Sequence, residues 1–161
     1  MRKAKQIFDK VIELLIMVIM IAMSVIVLWQ VITRFIYGDP SAWTEEMAKY
    51  LMVWIGFLAG AMGLKYGNHL GITLLSEMIH NATGKKVIAC LISLLCAAVG
   101  VVILVYGWQF MATGAKKVAS AFPIPMNYIY AAVPLSGLVV ILNCVENLVK
   151  IIRGDTETTE G

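Results

Sequence analysis

The side chains best equipped for chemistry lie at the ends of the chain's apolar runs, not within them. Trp43, Glu45, Glu46 and Lys49 follow the breaking triplet Gly38-Asp39-Pro40, and Arg34 stands just before it. On a helix, Glu45 and Lys49 are i,i+4 partners in the favourable order. Glu46, Tyr50, Trp54 and Phe57 fall on one helical face. Carboxylates, cations and aromatic rings in this arrangement suit ion pairing and protein docking. The plainer alternative is a solvated helix start with an aromatic anchor at a membrane surface. His69 and His80 lie in a connection between apolar runs, so they cannot ligate a haem between membrane helices. Cys90, Cys96 and Cys144 lie within the apolar runs and read as packing residues. We find no nucleophile–base pair, phosphate loop or metal-ligand cluster, so the chain reads as neither an enzyme nor a cofactor carrier.

The elements that position these residues follow from composition. Of the 161 residues, 60% are hydrophobic and only 14% charged, with a mean hydropathy of +0.84. Soluble domains run about 45–50% apolar and about 25% charged, and disordered chains are poorer still in hydrophobes. An all-α integral membrane protein remains, as a single domain over 1–161. A helix needs about 20 apolar residues to cross a bilayer. Leu14 to Thr33, Val87 to Ala115 and Val118 to Val145 are uncharged over 20, 29 and 28 residues. Tyr50 to Leu64 is shorter, but Lys49 and Lys65 can snorkel at its ends. This gives four transmembrane helices over about 12–34, 46–66, 87–115 and 127–149. A re-entrant segment is the alternative for the second.

With both termini in the cytoplasm, nine basic residues fall inside and four outside, in agreement with the positive-inside rule. The net charge of +3 therefore signals orientation and not nucleic-acid binding. The hydrophobic run near the N-terminus is too long for a signal peptide and reads as a retained first helix. Ser41 can cap the second helix, with Glu45 and Glu46 near its positive end. Between spans two and three, Leu75, Met78, Ile79 and Ala82 repeat at i, i+3, i+4, i+7, opposite Thr73, Ser76, Glu77 and His80. This predicts a short amphipathic helix over about 71–83 lying along the inner membrane surface. Phe122-Pro123-Ile124-Pro125 separates spans three and four, Pro134 predicts a kink in the fourth, and about 154–161 reads as a disordered tail. Gly56 and Gly60 form G-x-x-x-G, echoed by Ala59 and Gly63, a spacing that lets helix backbones approach closely. No ionisable residue stands mid-membrane, where an ion pathway would place one.

Several blocks carry a family resemblance. Val31-Ile32-Thr33-Arg34-Phe35 leads into Trp43-x-Glu45-Glu46 and then Trp54-x-Gly56-Phe57-x-x-Gly60-Ala61. Gly67-Asn68-His69-Leu70-Gly71-Ile72 follows, then Ile124-Pro125-Met126 and Tyr130-Ala131-Ala132-Val133-Pro134. In this order, over about 31–137, they resemble the small membrane subunit (DctQ-type) of tripartite ATP-independent periplasmic (TRAP) transporters. Thr73 departs from the family pattern, which often has an acidic residue shortly after the histidine block.

The resemblance implies a non-catalytic small permease subunit in a bacterial inner membrane, surrounded by lipid. Its partners would be a large elevator-type membrane subunit, where sodium ions would bind, and a periplasmic binding protein. The cargo would be an organic acid such as sialic acid or a C4-dicarboxylate. Arg34, Trp43, Glu45, Glu46, Lys49, Trp54, Gly56, Gly60 and His69 become the candidate partner-interface residues. The outer cluster would brace the first loop, with Glu45 or Glu46 paired to Arg34, or contact the large subunit, or help dock the binding protein. Two readings from other classes compete. One is a small homodimeric exporter built around Glu13, the other a membrane anchor of a redox complex.

Overall fold

The computed structural model describes residues 2–38, 42–78, 82–121 and 123–153; the side chains of 2–4, 37, 65–78, 82, 83, 85, 86, 150, 152 and 153 are outside that description. The described chain forms five α-helices: α1 (Arg2–Tyr37), α2 (Ala42–Met78), α3 (Ala82–Gly114), the single turn α4 (Asn127–Tyr130) and α5 (Ala132–Arg153). Four stretches, Lys5–Ile36, Ala42–Leu64, Val87–Gly114 and Asn127–Val149, are long and apolar enough to cross a membrane. This is the expected all-α, four-span architecture. The helices run up and down. One end of the bundle carries the start of α1 and the end of α5 (the terminal end), and the other carries the connections at 38–42 and 115–126 (the hairpin end).

α1 stops where Gly38 enters the left-handed region, at φ 71°. Its N–H donates to the Arg34 carbonyl at 3.2 Å, a single-bond glycine cap that a side chain at this φ would strain. The proposed cap Ser41 lies outside the described residues. α2 runs unbroken to Met78, so residues 71–78 are helical as expected but continue the second span instead of forming a separate element. The side chains that would give 71–83 its amphipathic character lie outside the described ones, as do residues 79–81 and the tail 154–161. Pro134 acts at the start of its helix, not midway along it. Its ring cannot sit beneath the carbonyl four residues earlier, and the chain breaks at Ala131 into α4 and α5.

In lipid, helices associate through close packing more than through hydrophobicity, and α3 and α5 form the tightest pair. Ser93, Gly100, Gly107 and Gly114 recur on α3 every seven residues and are all buried. A methyl group built on Gly137 would meet the Leu104 backbone nitrogen at 2.7 Å; one on Gly107 would meet the Pro134 nitrogen at 2.9 Å. On Gly114 it would strike the Tyr130 ring at 2.5 Å. The core gathers Ile12, Ala61, Met62, Val139, Val140 and Cys144, with Cys96 against it. Cys96 and Cys144 thus pack as expected, whereas Cys90 faces outward.

Polar groups fasten the terminal end. Lys5 donates to Glu146 across the bundle, tying the first helix to the last. The Asn147 amide donates to Ser93 Oγ at 2.9 Å, joining α5 to α3. The Asn143 amide reaches the Ala61 carbonyl of α2 at 3.4 Å.

Candidate partner interface

At the hairpin end the two adjacent glutamates do different work. Glu45 accepts from Lys49 Nζ at 2.6 Å, and both side chains are more than half exposed. Glu46, one residue on, turns toward the bundle. Its Oε2 accepts the Ala121 backbone N–H at 2.8 Å and the Tyr50 hydroxyl at 3.2 Å. The Ala121 bond ties α2 to the connection between α3 and α4. That connection folds back through Ala119 N–H to the Ile124 carbonyl (3.1 Å) and Met126 N–H to the Lys117 carbonyl (2.9 Å). Arg34 is exposed and forms no ion pair with either glutamate among the described residues. The expected Arg34 pairing is therefore replaced by a local i,i+4 pair and a long-range backbone anchor. Helix geometry favours the first. The second is available because a backbone N–H in an irregular connection lacks a ladder partner.

Below this cluster α2 has two unlike faces. Thr44, Leu58, Ala61 and Met62 are buried against the rest of the chain. The opposite face exposes Glu45, Lys49, Met52, Gly56, Gly60 and Gly63 in one continuous stripe. A methyl group built on Gly56, Gly60 or Gly63 would meet nothing within 4 Å. Among the described residues the G-x-x-x-G spacing thus makes no close contact and leaves bare helix backbone facing outward. Trp54 is half-buried, while Trp43 and Phe57 are 42% and 38% exposed at the margins. The His69 side chain lies outside the described ones.

α1 widens the open surface. One face, from Ile12 through Ile19 and Ile26 to Thr33, is buried or half-buried, and the rest exposes large side chains from Leu14 through Ile21 and Leu28 to Phe35. It lies along α2, shares the core with α5 through Ile12, and reaches α5 at its start through Lys5 and Glu146. Sequence reasoning missed the Glu46 anchor and the Lys5–Glu146 bridge, because both join positions at least 75 residues apart. The seven-residue repeat of small residues on α3 is, by contrast, legible in the sequence.

Among the described residues no three His, Cys, Asp or Glu side chains gather as a metal site. The geometry instead offers an open helix face with a charged head.

Residues 23–154 match the family model for the DctQ component of tripartite ATP-independent periplasmic transporters. The chain is similar to the sialic acid TRAP transporter small permease protein SiaQ of Vibrio cholerae, with 24% identity over 96% of this chain and 90% of that protein. A putative TRAP transporter small permease protein of Haemophilus influenzae is 22% identical over 98% of this chain and 99% of its own length. The C4-dicarboxylate TRAP transporter small permease protein DctQ of Vibrio cholerae is 27% identical over 65% of this chain and 45% of its own.

Proposed function

The chain belongs to the DctQ-component family of tripartite ATP-independent periplasmic transporters, and from that premise we propose that it scaffolds the large membrane subunit during sodium-coupled uptake of an organic acid. As a small permease subunit it is a non-catalytic, multi-pass protein of the bacterial inner membrane. The further steps are our reading. A large subunit that moves its cargo across the membrane needs a rigid neighbour, and the glycine-tight α3–α5 pair provides rigidity.

The observation that carries the proposal is the outward stripe of Gly56, Gly60 and Gly63, which no described side chain covers. Bare backbone facing lipid gains nothing, whereas a partner helix can approach it closely. α2, with the uncovered α1 beside it, is therefore the face we assign to the large subunit. The positive-inside count supports placing both termini in the cytoplasm. The hairpin end, with Trp43 and the Glu45–Lys49 pair, then faces the periplasmic binding protein. The cargo is an organic acid of the sialic acid or dicarboxylate type, selected by the partner proteins.

Co-expression with the genes for a large polytopic subunit and a secreted binding protein tests this reading. The expected result is co-purification with the large subunit, and sodium-dependent uptake that needs all three proteins. Transport by the purified chain alone in vesicles would overturn it in favour of a small exporter.

A further inference from the structure

A second open feature lies on the far side of the bundle and has the opposite character. A shallow groove of about 590 Å³ runs along α3 toward the hairpin end, flanked by Val133 at the start of α5. Its walls are Val102, Ile103, Phe110 and Val133, with Gln109 and Thr113 toward its upper rim. We propose that it seats one acyl chain of an anionic phospholipid from the leaflet at the hairpin end, with the headgroup held by Lys116 and Lys117.

Three observations favour this occupant. The first is length. The α3 wall runs from Val102 to Thr113, and at 1.5 Å per residue it spans about 16 Å, close to half of a hydrocarbon core about 30 Å thick. The second is charge. Lys116 and Lys117 are exposed, in a turn closed by the Lys117 N–H on the Gly114 carbonyl at 3.0 Å. Lys116 stands three residues beyond Thr113, at most about 11 Å along the chain. The connection 115–126 contains no acidic residue, and the nearby Glu46 carboxylate is turned to Ala121 and Tyr50. The third is the nature of the wall. Helices dock in membranes through small residues, but Gly100, Gly107 and Gly114 of α3 are buried toward α5 or α4. What α3 exposes here is bulky, namely Val102, Val105, Tyr106 and Phe110. A protein helix suits the α2 stripe, whereas a flexible chain suits this groove. The wall is also preformed: the Phe110 and Tyr130 rings pack with centroids 4.2 Å apart.

The test uses the chain in complex with its large subunit, equilibrated in vesicles of equimolar phosphatidylglycerol and phosphatidylethanolamine. Lipids retained after extraction are identified by native mass spectrometry. We expect one phosphatidylglycerol per copy of this chain, preferred over phosphatidylethanolamine by about five- to thirtyfold, the range set by one or two lysines near a membrane surface. Lys116→Gln/Lys117→Gln, on the exposed turn, abolishes the preference, and Ile103→Trp lowers retention of both lipids. Equal retention of the two lipids by the natural chain overturns the proposal, as does an undiminished preference in the double lysine variant. A photoreactive residue at Val102 that crosslinks to the large subunit instead of to lipid assigns the groove to protein and likewise overturns it.

Discussion

Two rows of glycine in this chain lie on neighbouring helices and serve opposite ends. On α3, Gly100, Gly107 and Gly114 are buried within about 3 Å of atoms of α5 and α4. On α2, Gly56, Gly60 and Gly63 meet nothing. The first row has already been used for packing when this chain folds; the second is left for something outside it. The residue type alone does not distinguish the two, because a bare backbone permits close approach from either direction. What differs is the partner: α3 faces Gly137 and Pro134, which bring a second bare or flat surface to the contact. Among the described residues α2 has no such surface opposite its glycine row.

The comparison breaks if the inner row tolerates side chains. Gly137→Ala and Gly107→Ala each force a methyl group onto backbone atoms at 2.7 and 2.9 Å, and overpacking of this kind costs about 1–3 kcal/mol. We expect each variant to destabilise the isolated chain in detergent by that amount, seen as a lowered unfolding midpoint, and Gly137→Leu to prevent stable purification. An unshifted midpoint would mean that α3 and α5 do not approach this closely.

The outer row should respond the other way. Gly56→Leu/Gly60→Leu adds side chains where there is open space, so the isolated chain should keep its midpoint. Leucine is also the better helix former, by up to about 1 kcal/mol per site. Recovery of the large subunit in pull-downs should nevertheless fall by about tenfold or more, the equivalent of one lost close contact of about 1.4 kcal/mol. Loss of the chain's own stability would instead place these glycines in its core.

Much of this contrast could be read from the residues. The four spans follow from uncharged runs long enough to cross a bilayer. The G-x-x-x-G pattern marked α2 for close approach without saying from which side, since both faces of α2 carry small residues, Ala61 on one and Gly60 on the other. The seven-residue repeat from Ser93 to Gly114 was equally visible, at a period that keeps one face toward a single partner. The Glu46 anchor was not visible, because its partner is a backbone N–H whose orientation depends on how residues 115–126 fold. Lys5 and Glu146 are ordinary interfacial charges until α1 and α5 are brought side by side. Glu46→Ala tests the hidden anchor. It leaves the Ala121 N–H to water, and at this partly exposed site the loss should be about 1 kcal/mol. Hydrogen exchange at 119–126 should rise while α3 and α5 stay protected.

The smallest expected effect separates the two glutamates most cleanly. Glu45 and Lys49 form an exposed pair on the open α2 face, where such pairs add little to folding. Glu45→Ala should therefore leave the midpoint of the isolated chain unchanged, unlike Glu46→Ala next door. The pair nonetheless stands at the head of the stripe that ends in Gly63, where a partner docking on α2 would meet it. Reversing it, as Glu45→Lys/Lys49→Glu, keeps the pair while exchanging its charges. A partner that reads the charges would bind the reversed chain less well than one carrying Glu45→Ala. A partner that needs only the glycine row below would bind both variants as well as the natural chain, confining recognition to the backbone-exposing part of α2.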